Sequence, residues 1–341
     1  MKNDYAQALN YSAHAIEDLR TTAVMLQHMM PDSARVLYRL IGMLEDSVKF
    51  ILPNCCDLVG PDEVRQAHID LIRLPYPCVA FEAPWDKGEE CPAYMGVFKQ
   101  TLSTKRIALC WDARQFEPMP GLNSFLDAFE EGGVFVLPIY WGPEHRKWTV
   151  ALGGTFVPYR NELGKLNLNE ALPATKIANA AKIAAGHAHA KSNQFRAEPF
   201  PILPEFFERA IATYGSRDKA NAQIIIDSYD EAMMLIQACS VINCANVITG
   251  NIEAPVALNK KRRATSKQPF FSYKILELAE DRKSVGSGSG GHHASPRMHL
   301  RRGHLRQLER KIVWVRPAMI NAESTRGVVH KDYGVVPPRS E

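Results

Sequence analysis

Arginine and histidine side chains are concentrated in residues 296–316 of this 341-residue chain. A guanidinium pairs bidentately with phosphate and stacks on bases, so the segment predicts contact with a polyanion. The imidazoles of His299 and His304 could also act as general base and general acid on a phosphodiester, with an arginine stabilising the charge on phosphorus. RNA binding and metal-independent ribonuclease chemistry therefore both stay open. The arginines of the segment are Arg297, Arg301, Arg302, Arg306, Arg310 and Arg316.

A second basic run lies upstream of this segment. It consists of Lys260, Lys261, Arg262 and Arg263. Aromatic side chains nearby could provide faces on which unpaired bases stack; they are Phe270, Phe271, Tyr273 and Trp314. Basic side chains interleaved with aromatic ones are typical of RNA-binding surfaces. The alternative is a solvated basic surface that partly neutralises an acidic body.

The charge of the chain is divided unevenly along its length. Residues 259–341 contain 18 Lys+Arg and 7 Asp+Glu, a formal charge of +11, whereas residues 1–258 contain 23 and 30, a formal charge of −7. The net charge of +4 conceals this division. The C-terminal region is thus the part that we expect to meet a polyanion or an acidic partner.

A metal site built from histidines is a weaker alternative. Zinc suits imidazole ligands, but no cysteine lies nearby and the surrounding positive charge opposes a cation, so we expect neither a metal nor a cofactor. The P-loop, nucleophile-elbow, HExxH and protein-kinase signatures do not occur. We therefore expect a protein that is not an enzyme, with ribonuclease activity as the one enzymatic alternative. The histidines considered are His292, His293, His299, His304 and His330.

The first 30 residues contain charged side chains and no apolar signal-peptide core, which favours a cytoplasmic protein. The apolar run over residues 232–252 is interrupted by Gln237, Ser240, Asn243 and Asn246, three residues apart. This is the pattern of a core helix with one polar stripe, and we expect no membrane contact. The seven cysteines have no CxxC spacing, so they are expected to be reduced and mostly buried.

The periodicity of apolar residues predicts an α+β fold with a helical N-terminus, a mainly antiparallel sheet and a helical middle. Residues 1–75 form the helical N-terminal part, with helices expected over 5–30, 31–51 and 61–73. Residues 76–258 form a mixed body. Its strands are expected over 78–81, 94–98, 107–111, 134–141 and 148–157, and its helices over 174–190, 204–214 and 228–249.

Residues 259–341 form a small basic, β-rich C-terminal extension. A strand is expected over 269–278, followed by a flexible Gly/Ser linker at 284–291. Further strands are expected over 311–316 and 328–335. These are too few for a large core of their own, so we expect them to pair with 269–278 or to dock on the body.

The sequence PRMHLRRGH over residues 296–304, followed by Trp314, Pro317 and Ile320-Asn321, resembles the C-terminal segment of a family of type V-A anti-CRISPR proteins. Phages, plasmids and other mobile elements encode that family. The resemblance covers about residues 255–335, roughly a quarter of the chain. It includes His299, Arg301, Arg302 and His304, and it departs from the family at Leu305, where a tryptophan is expected.

The resemblance implies an inhibitor that acts during translation. Members of the family are thought to recognise the emerging N-terminal polypeptide of the type V-A CRISPR effector nuclease and to trigger loss of its mRNA. Carried over to this chain, the acidic body would recognise the nascent polypeptide, and residues 297–316 would contact RNA or the ribosome. A non-catalytic nucleic-acid-binding accessory protein of a phage or plasmid is the remaining alternative.

Overall fold

The computed structural model describes residues 8–60, 64–88, 94–116, 119, 121–165, 172–189, 192–278, 298–301, 304–308, 311–315, 318–320 and 328–329. Within these residues the protein has the expected α+β fold, in which helices cover both faces of a mixed, mostly antiparallel sheet. None of the described helices combines the length and the apolar character that a membrane span requires.

The helices of the described chain are mostly short, and the first two form an antiparallel pair. Their bounds are α1 (Tyr11–Leu26), α2 (Pro31–Asp46), α3 (Gln66–Asp70), α4 (Ser124–Ala128), α5 (Pro173–Ala184), α6 (Pro204–Tyr214), α7 (Arg217–Asp227), α8 (Tyr229–Ile242) and α9 (Val256–Ala264). A 3-10 turn spans Asn54–Cys56.

Among the described residues, the main sheet has nine strands. They are β1 (Val48–Ile51), β2 (Cys78–Pro84), β5 (Lys105–Asp112), β6 (Gly133–Gly142), β7 (Lys147–Val150), β8 (Gly153–Pro158), β11 (Glu198–Pro201), β12 (Val247–Ile252) and β13 (Tyr273–Leu278). Their order is β11-β8-β6-β5-β2-β1-β13-β12, and β7 pairs with β6. The pairs of β1 with β2 and with β13 are parallel, and the other pairs are antiparallel.

Smaller strands surround this sheet. They are β3 (Tyr94–Met95), β4 (Phe98–Lys99), β9 (Gly164–Lys165), β10 (Asn193–Gln194), β14 (Met298–Arg301), β15 (His304–Leu308), β16 (Lys311–Val315), β17 (Ala318–Ile320) and β18 (Val328–Val329). The strand β14 lies between β17 and β18, and β15 pairs with β16 as a hairpin. The predicted linker at 284–291 lies outside the described residues.

The central strands are apolar on both sides because helices cover both faces of the sheet. Alternate residues of β5 divide between two cores: Leu109 and Trp111 pack with α1 and α2, whereas Ala108 and Cys110 pack with α8. Two glycines permit close strand packing in β8. A Cβ at Gly154 would lie 2.0 Å from Val136 O, which explains this glycine without a nucleotide-binding loop.

The N-termini of α1 and α2 are capped by glutamates from distant parts of the chain. Glu82, buried in β2, accepts the N–H groups of Tyr11 and Ser12, both at 2.9 Å. Glu205 accepts those of Asp32 and Ser33 at 2.9 and 2.8 Å. Each carboxylate thereby binds the free N–H groups of a helix start and the positive end of its dipole.

The polar stripe predicted on α8 binds the backbone of neighbouring loops. Gln237 Oε1 accepts the N–H groups of Leu58 and Val59, and Ser240 Oγ lies 3.3 Å from His68 O. The next member, Asn243, follows the helix and donates to Leu71 O and Arg73 O. The stripe therefore connects α8 to the segment that joins β1 to β2.

Several predicted helices are too long. The helix expected over 228–249 ends at Ile242 and is followed by β12, and the helix expected over 31–51 ends at Asp46 and is followed by β1. In both cases the last residues of the expected helix form a strand instead: β12 pairs with β13, and β1 pairs with β2 and β13. The first helix begins at Tyr11 and ends at Leu26, and the third is confined to residues 66–70.

The six described cysteines are free thiols, and five of them are buried. Burial raises the pKa of Cys239 and Cys78, in each case to about 12. These thiols therefore pack as small apolar groups and stay protonated near neutral pH.

Candidate nucleic-acid interface

The basic run predicted from the sequence forms most of α9, which follows β12 directly. The helix starts after Pro255 and is held to the chain that follows it by Asn259. The Asn259 side chain donates to Phe270 O at 2.8 Å and accepts Phe270 N–H at 2.7 Å. Because Asn259 is buried and most of its neighbours in α9 are exposed, the helix presents most of its surface to solvent.

Three of the four cations of this run are exposed. Lys260, Lys261 and Arg263 make no ion pair with any residue that the structure describes. Their position in the last two turns of α9 places them near the negative end of the helix dipole, which they stabilise. Their side chains are thus available to an anionic partner.

Arg262 serves the fold instead of an interface. Its Nε donates to Gln268 O at 2.6 Å, its Nη2 bonds to Glu17 Oε1 at 2.8 Å, and its guanidinium lies 3.9 Å from the Phe270 ring centre. These contacts anchor α9 to α1. The contact of Arg262 with nucleic acid stays a prediction, and in this structure its guanidinium is engaged within the protein.

The hairpin β15–β16 docks on the body through Trp314. This side chain is 8 % exposed and packs with Val241 and Cys244 at the end of α8. Its backbone N–H and C=O both bond to the side chain of Asn246, at 2.8 and 2.6 Å. The predicted docking on the body is confirmed for the strand expected over 311–316, which is β16. The ring is enclosed in this position, and the stacking of Trp314 on a base stays a prediction.

The other aromatic residues proposed as stacking faces also have partners inside the protein. The Phe270 ring lies under Arg262, and the Phe271 ring lies 3.8 Å from Lys49 Nζ. Tyr273 is buried and its hydroxyl donates to Glu82 Oε1 at 2.9 Å. Phe270 and Phe271 are half-buried and Tyr273 is buried, so all three contribute to the packing of β13 and the residues before it.

The histidines proposed for catalysis lie in different strands. His299 lies in β14 opposite Ile320, and His304 lies in β15 opposite Val315. Arg301 lies in β14 opposite Ala318, and Arg306 is exposed on β15. The remaining arginines proposed for this segment lie outside the described residues, as do His292, His293 and His330. These arginines are Arg297, Arg302, Arg310 and Arg316.

A buried ionic network joins β5 to α8, and no feature of the sequence predicts it. Arg106 of β5 donates to Glu231 Oε1 at 2.8 Å and lies 3.4 Å from Asp230 Oδ2. Arg106 is 2 % exposed and Glu231 is fully buried. Gln100 Nε2 donates to Asp230 Oδ2 at 3.1 Å, and Lys87 Nζ lies 3.9 Å from Asp230 Oδ1. No sequence signal links these residues, because they are up to 144 positions apart.

In this network, Arg106 lies close to two carboxyl groups, those of Glu231 and Asp230. Burial raises the pKa of Glu231 to about 7, and Asp230 adds to the rise while Arg106 opposes it. Burial alone would lower the pKa of Arg106, but Glu231 and Asp230 raise it, so the guanidinium stays charged. The pairing of Arg106 with Glu231 joins β5 to α8, and two buried atoms of the cluster, Arg106 Nε and Glu231 Oε2, make no hydrogen bond to any described residue.

A polar pocket of about 370 Å³ opens where β1, β12 and β13 begin or end. Lys49, Asn251, Glu253, Phe271 and Lys274 are among its lining residues. Lys49 Nζ donates to Glu45 O and Ser47 O at 3.0 and 2.6 Å. Burial lowers the pKa of Lys49 to about 8, although Glu82 opposes this shift. The Lys49 ammonium thus binds carbonyls at the C-terminal end of α2 and forms part of the pocket lining.

Neither a cluster of potential metal ligands nor a similar known protein identifies a functional site. Within the described ranges, no group of three or more His, Cys, Asp or Glu side chains is placed to hold a metal ion. No protein family, curated protein or solved structure gives a significant match to this chain. The exposed cations of α9 and the hairpin β15–β16 are consequently the candidate interface.

Proposed function

We propose that this protein is an anti-CRISPR-type inhibitor that acts on translation in the cytoplasm of a bacterial host. Its body recognises the nascent polypeptide of a type V CRISPR effector nuclease, and its basic C-terminal region contacts the mRNA or the ribosome. Decay of the mRNA follows. The resemblance of residues 296–304 supports the biological role, and the exposed cations support the polyanion contact.

One observation carries the polyanion contact. In the run of four cations on α9, Arg262 is bound by Glu17 and Gln268, whereas Lys260, Lys261 and Arg263 remain exposed. A helix that displays unpaired cations costs the fold some charge repulsion, which an anionic partner removes. RNA is the polyanion that the resemblance favours.

The RNA contact is tested by replacing Lys261 and Arg263 with alanine. Each phosphate contact that is lost lowers the salt slope of binding to a single strand by about 0.7, so the slope should fall by about 1.4 and the affinity by roughly tenfold. The measurement is fluorescence anisotropy of labelled oligouridine over a salt series. A control variant removes Arg209 and Lys219, two exposed cations on α6 and α7. Equal losses in both variants would refute a specific role for α9.

The translational role is tested separately in a reconstituted translation system. The protein is added during synthesis of a type V-A effector nuclease, and ribosome co-sedimentation and the lifetime of the nuclease mRNA are measured. The protein should sediment with these ribosomes and shorten the lifetime of this mRNA, but not of one encoding an unrelated protein. An unchanged lifetime would remove the inhibitor function and leave RNA binding alone.

A further inference from the structure

In the described part of the chain, the strand β12 forms one edge of the nine-stranded sheet. Among the described residues it pairs only with β13, and it ends the strand order. The side chains of Ile248, Thr249 and Asn251 are exposed, Ile248 to 51 %. Since successive side chains point to opposite faces, β12 is accessible on both faces as well as along its edge.

The peptide groups that face this edge can be assigned. Val247 N–H turns away from β13 and donates to Cys244 O at 3.1 Å. Peptide groups alternate in direction along an antiparallel strand, so those of Thr249 and Asn251 also point away from β13. The edge therefore offers N–H and C=O groups at a two-residue repeat of about 7 Å.

We propose that β12 binds an extended polypeptide segment that carries carboxylates and adds to the sheet as a further strand. Only another extended peptide backbone presents alternating acceptors and donors at this repeat. The exposed Ile248 gives the added strand an apolar side chain to pack against. This inference rests on the proposed function, in which the partner is a polypeptide. It assigns the recognition of that polypeptide to β12, whereas the proposed function names no residues for it.

The preference for carboxylates follows from the cations at the two ends of β12. The hairpin β15–β16, with Arg306 and Lys311 exposed, adjoins the start of the strand, where Ala245 N–H donates to Ile312 O. The helix α9 follows its end. One exposed carboxylate, Glu253, lies between β12 and α9, where it lines the pocket together with Lys49 and Lys274. Acidic side chains near both ends of a bound segment would be stabilised.

The same charges disfavour a second copy of the chain. Two β12 edges that pair antiparallel about a twofold axis would place α9 of one copy beside the hairpin of the other. Both elements are cationic, so this arrangement brings like charges together. The edge is thus protected from self-association by charge while it remains open to an acidic segment.

The experiment uses three fluorescein-labelled peptides of six residues, the length of β12. The first alternates valine and threonine between terminal aspartates, the second has terminal lysines instead, and the third is the first with alternate backbone nitrogens methylated. Anisotropy should show binding of the first peptide, roughly tenfold weaker binding of the second, and no binding of the third. Equal binding of the methylated peptide, or none of the aspartate peptide, would overturn the proposal.

The matched variants are Thr249→Pro and Thr249→Val. Proline removes an N–H that points away from β13, which an edge strand tolerates, so the melting temperature should change little while peptide binding is lost. Valine keeps the N–H and should keep the binding. If Thr249→Pro fails to fold, the methylated peptide still decides the question on the wild-type protein. In the Lys261→Ala/Arg263→Ala variant, the aspartate peptide should still bind, with a smaller advantage over the lysine peptide, while the affinity for oligouridine falls roughly tenfold. Retained binding of the aspartate peptide beside weakened oligouridine binding separates this proposal from the RNA contact.

Discussion

Replacing Arg106 with methionine tests whether one cation holds the buried network together. Methionine has a similar length but no charge, so Glu231 and Asp230 would lose the guanidinium that lies 2.8 and 3.4 Å from them. Removing one partner of a buried ion pair costs ~3–5 kcal/mol, because the remaining charge stays desolvated. The free energy of unfolding should fall by about this amount at pH 8.

The loss should be smaller in mild acid. Because the pKa of Glu231 is already about 7, this carboxyl can take up a proton at pH 6 and become neutral. Asp230 keeps Lys87 and Gln100 as partners. Replacing both Arg106 and Glu231 with methionine removes the charge and its counter-charge together, and should recover most of the stability that the single change loses.

The measurement is guanidinium-induced unfolding, followed by tryptophan fluorescence at pH 8 and pH 6 for the wild type and both variants. A loss below about 1 kcal/mol at pH 8 would show that the guanidinium is not needed by its neighbours. A double variant no more stable than Arg106→Met would refute the idea that the stranded carboxylate is the cause. Either result would contradict the reasoning from burial and charge.

Two further predictions concern the hairpin and the titration of the network. Trp314→Ala should abolish hydrogen-exchange protection of β15 and β16 with little change in global melting, because the ring holds only this hairpin to α8; Leu308→Ala, at an exposed site, is the control, and unchanged protection would contradict the docking. Glu231→Gln should flatten the pH dependence of stability. A carboxyl whose pKa rises from 4.5 to about 7 on folding makes a contribution that is lost as the pH rises through this window, up to ~3 kcal/mol, and parallel pH curves for wild type and variant would refute it.

The helix and strand types near strong local signals could be predicted from the sequence. The helix expected over 204–214 has the same bounds as α6, since Pro204 starts it and Gly215 ends it in the left-handed conformation. The strands around residues 107–111 and 134–141 were also located, because each is a continuous apolar run between turn residues. In these segments local and tertiary preferences agree.

The errors occur where distant contacts decide the structure. Val48 and Ile51 continue the helical spacing of α2, yet they lie in β1, which pairs in parallel with β2 and β13. The helix expected over 228–249 includes Thr249, which lies in β12. The interface shows the same limit. The sequence located the basic run, but the inward role of Arg262 depends on Glu17, 245 positions away.

The glutamate caps of α1 and α2 have a consequence for folding on the ribosome. Glu82 lies 70 and 71 positions after the two residues whose N–H groups it binds. Glu205 lies 172 and 173 positions after the two residues whose N–H groups it binds. The first helical pair therefore leaves the exit tunnel with uncapped N-termini and acquires its caps only when these later segments have been synthesised. The order of synthesis thus delays completion of the N-terminal helices until more than half of the chain has emerged.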